Sequence, residues 1–224
     1  MQTAPAVATV WPGVAVSDRG GDRLSRRASS GAMTDLKTDL LTYLQRGRDA
    51  VAWKLEGASE YDVRRSLTPT GTNLLGLVKH LTAVDAGYLG EVFGRPFPEP
   101  IPWGKDDAEL ESDMWATPEE SREELVALYR RVWAHGDETV AALDLGTAGT
   151  VPWWPEERRH PTLQRVLVHL IAETHRHAGH ADVVRELVDG SAGLLPTVSN
   201  LGSETDQARA AHRARVQAAA DTFR

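Results

Sequence analysis

The stretch "HLIAETHRHAGHAD", residues 169–182, carries four histidines and a glutamate within twelve positions of a chain that holds only eight histidines. Imidazole and carboxylate are the side chains that bind divalent metals and move protons near neutral pH. Whether they can act together depends on their spacing. On a helix each residue turns by about 100°, so i, i+4 and i+7 share a face. His169, Glu173, His177 and His180 therefore form one stripe, and His175 falls roughly opposite, toward solvent. Val166, Leu170, Val184 and Leu187 mark the core side of the same helix and bracket that stripe. Glu173 and His177 are thus expected to point inward, where a carboxylate and an imidazole are costly unless paired or coordinated.

Three readings fit this pattern. A hydrogen-bonded Glu–His pair closes a polar gap in the core, or the histidines line a wet groove, or the stripe is one side of a metal site. The metal reading needs a third ligand from another helix. His80, in "LLGLVKHLTAVDAGYL", is the one histidine in the first two helices and adjoins the apolar face beside Leu77 and Val84. A set of His80, Glu173 and His177 with open positions suits Zn²⁺, or Ni²⁺, Fe²⁺ or Mn²⁺, in a catalytic rather than a structural site. His180, one turn beyond His177, is a candidate supporting or general-base residue, and His169 lies at the rim. Asp85 shares a helix with His80 but sits well round from it, which predicts a surface or cap role.

Helices must position these groups. The first is predicted from a Thr34 cap, with Leu36, Leu40, Leu44, Val51 and Leu55 as its stripe. The second follows "TPTGTN" and carries Leu74, Leu77, Val78, Leu81, Val84 and Tyr88. After a proline-rich, acidic loop from Gly94 to Trp115, "TPEE" predicts a third start, with Thr117 as cap, Pro118 in the first turn and Glu120 closing a capping box. Its face is Leu125, Leu128, Val132 and Val140. The loop "GTAGTVPWWPEERRHP" leads into the fourth helix, which runs from Pro161 to about Asp189 before Gly190. Nothing reads as paired strands. The expectation is an all-α four-helix bundle with long inter-helix loops and an extra C-terminal helix. In domain terms, residues 1–32 form a disordered extension, 33–190 the bundle, and 191–224 a C-terminal loop and peripheral helix. Trp103 and Trp153 sit in the two long loops and are candidate pocket walls. Asp106 and Asp107 beside Trp103 are expected to be solvated.

Composition removes several classes of function. At 224 residues the chain can bury a real core, and its net charge of −7 argues against nucleic acid or an anionic membrane as partner. No apolar run approaches the roughly 20 residues of a membrane span. The first residues lack a basic leader region, so a cytoplasmic protein is expected. There is no cysteine. Disulfides, thiolate metal sites and a protein-borne thiol nucleophile are thereby excluded, and thiol chemistry requires a thiol from outside.

"TGTNLLGLVKHLTAVDAGYLGEVFG", a proline-rich loop and "HLIAETHRHAGHADVVRELVDG" together resemble the DinB-like superfamily, in its actinobacterial mini-circle-protein branch. The resemblance runs from about Thr34 to Gly190. It implies an up-down-down-up four-helix bundle that often forms homodimers, with a metal between the second and fourth helices. Many members use three histidines. Glu173 at the middle position instead resembles the arrangement in the N-terminal domain of mycothiol-dependent maleylpyruvate isomerase, which implies His80, Glu173 and His177 as ligands. That isomerase's C-terminal domain has no recognisable counterpart in the chain. The implied activity is a metal-dependent thiol S-transferase or thiol-assisted isomerase, joining a mycothiol-like thiol to a small-molecule electrophile. A hydrolase using metal-bound water, with His180 as base, and a non-enzymatic metal- or ligand-binding stress-related bundle are the alternatives.

Overall fold

The computed structural model describes residues 35–105, 108–199, 201 and 205–224. The expected disorder of residues 1–32, the Thr34 cap and the solvation of Asp106 and Asp107 lie outside the described residues. Six helices and no strands appear among the described residues, as expected of an all-α protein. The chain divides into two compact units, with residues 34–201 forming one and the C-terminal helix belonging to the other.

Side-chain caps set the helix starts. Helix α1 (Leu36–Trp53) begins after Asp35, whose carboxylate accepts the Lys37 N–H. A short helix α2 (Glu60–Arg64), unforeseen in the sequence, is capped by Ser59. Asn73 caps α3 (Leu74–Leu89) by accepting from Gly76. Helix α4 (Arg122–Ala142) starts at Ser121 rather than Thr117. Glu120 does accept the Thr117 N–H, as a capping box requires, but its carboxylate also takes the Lys79 ammonium, and residues 117–120 stay in a turn. Thr162 caps α5 (Leu163–Asp189), which ends at Gly190 in the left-handed conformation that glycine adopts freely. Thr205 caps α6 (Asp206–Asp221).

Side-chain meetings fix the directions of the four long helices of the first unit. Lys54 near the end of α1 pairs with Asp182 near the end of α5, while Gly47 lies against Thr174 and His175, so α1 and α5 run parallel. A Cβ at Gly47 would stand 2.9 Å from both side chains, which makes this close approach depend on glycine. On α3, His80 faces His177 and Tyr88 faces His169, so α3 runs against α5. Lys79 meets Glu120 before the start of α4, and Leu89 meets Gly136 further along it, so α3 and α4 run together. The order is up, down, down, up.

The core of this bundle is split by charge. One apolar zone contains Val51, Leu55, Leu74, Leu77, Leu81, Leu125, Tyr129 and Val184. The other contains Leu44, Leu89, Val140, Val166, Leu167 and Leu170. Between them in sequence on all four helices lie Arg48, Thr82, Asp85, Asp137, Thr174 and His177. Arg48 is fully buried and donates to Asp85 (3.0 Å) and Asp137 (2.9 Å). The surface or cap role expected for Asp85 is thus corrected: it is 1 % exposed, held inside by a cation from another helix. Burial pushes its pKa above the ordinary carboxylate value, with Arg48 acting in the opposite direction. Leu187, expected in the core, is instead 59 % exposed, while Val184 and Arg185 in the same turn are the residues that are buried.

Removing one member of a buried ion pair leaves a charge without compensation, at a cost of about 3–5 kcal/mol. Arg48→Met is therefore expected to lower stability by that amount in urea denaturation. Adding Asp85→Leu to the same chain should recover a large part of the loss, because the stranded carboxylate is gone.

Candidate metal centre

The fourth turn of α5 and the second turn of α3 meet where the polar layer reaches the edge of the core. Glu173 and His177 are i, i+4 on α5, and His177 Nε2 donates to Glu173 Oε1 at 3.0 Å. His80 enters from α3 with its Nε2 3.7 Å from the same carboxylate oxygen. The two imidazole rings pack edge to face, 4.8 Å between centroids. One donor atom from each of His80, Glu173 and His177 lies within 4.8 Å of the others.

This donor set fits a divalent ion. With metal–ligand bonds of about 2.1 Å in tetrahedral directions, ligand atoms stand about 3.4 Å apart. The two separations to Glu173 fall on either side of that value. The three sequence candidates are thus brought to one point. His177 is 7 % exposed, whereas the side chains of His80 and Glu173 are 20 % and 23 % exposed, so the cluster is open on one side.

Electrostatics sets the charge states of the cluster. Burial, and after it the neighbouring His80 ring, holds the His177 pKa below the ordinary imidazole value although Glu173 works against this. His177 is therefore neutral at pH 7. For Glu173 burial acts to raise the pKa, but the hydrogen bond from His177 and the proximity of both imidazoles outweigh it. The carboxyl sits below its usual range and is ionised.

The remaining histidines separate as follows. His180 is exposed, its Nδ1 lying 3.4 Å from His177 Nδ1, so it touches the centre from outside without joining the three donors. His169 is half-buried between Tyr88 and Trp154, with ring centroids 4.8 and 5.2 Å away, and burial lowers its pKa. His175 is exposed against Gly47, as the helical wheel requires. One contact was not anticipated. Asp113 Oδ2 lies 2.6 Å from His80 Nδ1, and it comes from the acidic loop whose only sequence signal was a run of carboxylates.

Along α3 the half-buried positions His80, Ala83, Val84 and Gly87 form a low floor beside the centre. Two tryptophan-bearing loops border it. Gly104 of the Trp103 turn lies against Ala83, and Trp153 lies against Gly87. Trp103 donates its indole N–H to the Lys79 carbonyl, with the Lys79 ammonium 4.6 Å from its ring. Trp153, 53 % exposed, and Trp154 both donate to the Tyr88 hydroxyl, at 3.1 and 2.8 Å.

A four-helix bundle of this connectivity is that of a DinB-like protein. The family model described as mycothiol-S-transferase matches residues 39–190, and the chain belongs to that family. Among solved structures, a conserved protein of locus from Enterococcus faecalis superposes with a TM-score of 0.53 at 16% identity. The match covers 70% of this chain and 99% of that one, and it speaks to the fold. No curated protein matches the chain.

The Tyr88 hydroxyl is the shared acceptor that holds the Trp153 loop on α3. Tyr88→Phe leaves two indole N–H groups without it, and a cost of about 1–3 kcal/mol is expected in chemical denaturation. Tryptophan emission should shift to the red while helix content stays unchanged.

Proposed function

We propose that the chain is a metal-dependent mycothiol S-transferase that couples an external low-molecular-weight thiol to a small electrophile. The observation that carries the reading is the approach of His80, Glu173 and His177 to one point with one side open. Two imidazoles and a carboxylate suit zinc, with Ni²⁺, Fe²⁺ and Mn²⁺ as alternatives. A divalent ion held there supplies the positive charge that makes a thiol ionise at neutral pH.

The chain's own residues do the rest. His80 would offer its Nε2 lone pair, His177 would offer Nε2 once the proton it shares with Glu173 has moved to Nδ1, and Glu173 would contribute a negative charge. On this reading the electrophile sits over the half-buried positions Ala83, Val84 and Gly87 of α3. Trp153 walls that space at one end, and Trp103, pinned to the Lys79 carbonyl, walls it at the other. His180, in contact with His177 and open to solvent, takes up the proton that the thiol releases. The sulfur then forms a bond to the electrophilic carbon. The electron pair displaced from that carbon leaves with a leaving group, or, in an addition, takes a proton back. The absence of cysteine fits this scheme, since no protein thiol competes for the electrophile.

Elemental analysis combined with a conjugation assay tests the reading. Purified protein is expected to carry one divalent ion per chain and to consume mycothiol with a bimane-type electrophile. His177→Ala should lose both. Metal-replete protein that turns over a substrate without any thiol would instead support a hydrolase with His180 as base.

A further inference from the structure

We infer that Asp113 is a positioning residue that selects the tautomer and orientation of His80, so that Nε2 is the free lone pair at the metal centre. The inference rests on the metal reading of His80, Glu173 and His177 and extends it to a residue outside the cluster. An ionised carboxylate only accepts hydrogen bonds. With Asp113 Oδ2 at 2.6 Å, His80 Nδ1 must carry the proton, and in the neutral ring Nε2 is left bare. Nε2 is the nitrogen that faces Glu173. The other tautomer would set a lone pair 2.6 Å from Asp113 and leave its N–H 3.7 Å from Glu173, too far for a hydrogen bond.

The surrounding chain is built to hold this contact. Asp113 belongs to a turn closed by the Met114 N–H on the Glu111 carbonyl. Glu111 in that turn has φ +62°, a conformation that non-glycine residues rarely adopt. Asn73, the cap of α3, donates from its side chain to the Met114 carbonyl at 3.0 Å, and Lys79 donates to the Trp115 carbonyl at 3.0 Å. Position 76 must be glycine for this docking, because a Cβ there would collide with the Met114 carbonyl. Anchors therefore come from the cap, first turn and second turn of the helix that carries His80. They fix a loop of acids such that one carboxylate meets one ring nitrogen. A solvated acidic run needs none of them.

Two readouts on the full chain test the role. Histidine-resolved ¹⁵N NMR of metal-free protein should show His80 with its proton on Nδ1, and Asp113→Ala should move it to Nε2 or to a mixture. Competition against a chromophoric chelator should show Zn²⁺ and Co²⁺ bound about 10–100-fold more weakly by Asp113→Ala, with partial rescue by Asp113→Glu. The unfolding midpoint of metal-free protein separates this from simple loosening. A loss of affinity that tracks a loss of stability, with the tautomer unchanged, would overturn the inference. So would a variant that binds as tightly as wild type. A wild-type chain that binds no divalent ion overturns the metal reading itself, which is a different result.

Discussion

Glu173 stands at the edge of an apolar interior, where an ionised carboxylate persists only if positive or hydrogen-donating groups meet it. That constraint organises the structure around it. Its lower neighbour on the helix, His169, is enclosed by aromatic rings, and its upper neighbour, His177, donates to it directly. Across from it His80 approaches to 3.7 Å, beyond hydrogen-bond distance. The α3–α5 contact is therefore a place where two apolar zones are interrupted by charge, and where a cation would complete the balance.

A second charged group in the same stratum obeys the same physics with a different outcome. Arg48 and Asp85 are fully buried and pair with one another, with Asp137 at the margin, although Arg48 Nη2 and Asp85 Oδ1 find no hydrogen-bond partner. That pair is closed: its cation is supplied by the protein. The cluster at Glu173 is open and supplied with lone pairs in place of a cation. One closes the interior between α1, α3 and α4, and the other faces a shallow floor bordered by Trp103 and Trp153. On the proposed reading, the contrast separates a structural use of buried charge from a chemical one.

Helical periodicity made much of this legible in the sequence. The i, i+4 pairing of Glu173 and His177, the rim position of His169 and the outward turn of His175 follow from 100° per residue, and the structure places all four accordingly. His80 was found because histidines are few. Asp85 was misread because its partner lies 37 residues away on another helix, and no local spacing reports such a pair. Asp113 was missed for a related reason. Its position is set by the Asn73, Gly76 and Lys79 anchors, which involve backbone carbonyls that a sequence does not display. The start of α4 lies at Ser121 rather than Thr117, in a segment where Lys79 takes the Glu120 carboxylate and Arg64 donates to the Ala116, Thr117 and Glu120 carbonyls, contacts that no local spacing reports.

The central claim is that three side chains from two helices form one centre with an open side. Anomalous diffraction at the zinc edge from crystals grown with Zn²⁺ measures this directly. One strong peak is expected, with His80 Nε2, a Glu173 oxygen and His177 Nε2 each about 2.0–2.2 Å away and no fourth protein ligand. A peak elsewhere on the chain, or an ion enclosed by four protein ligands, would contradict the account.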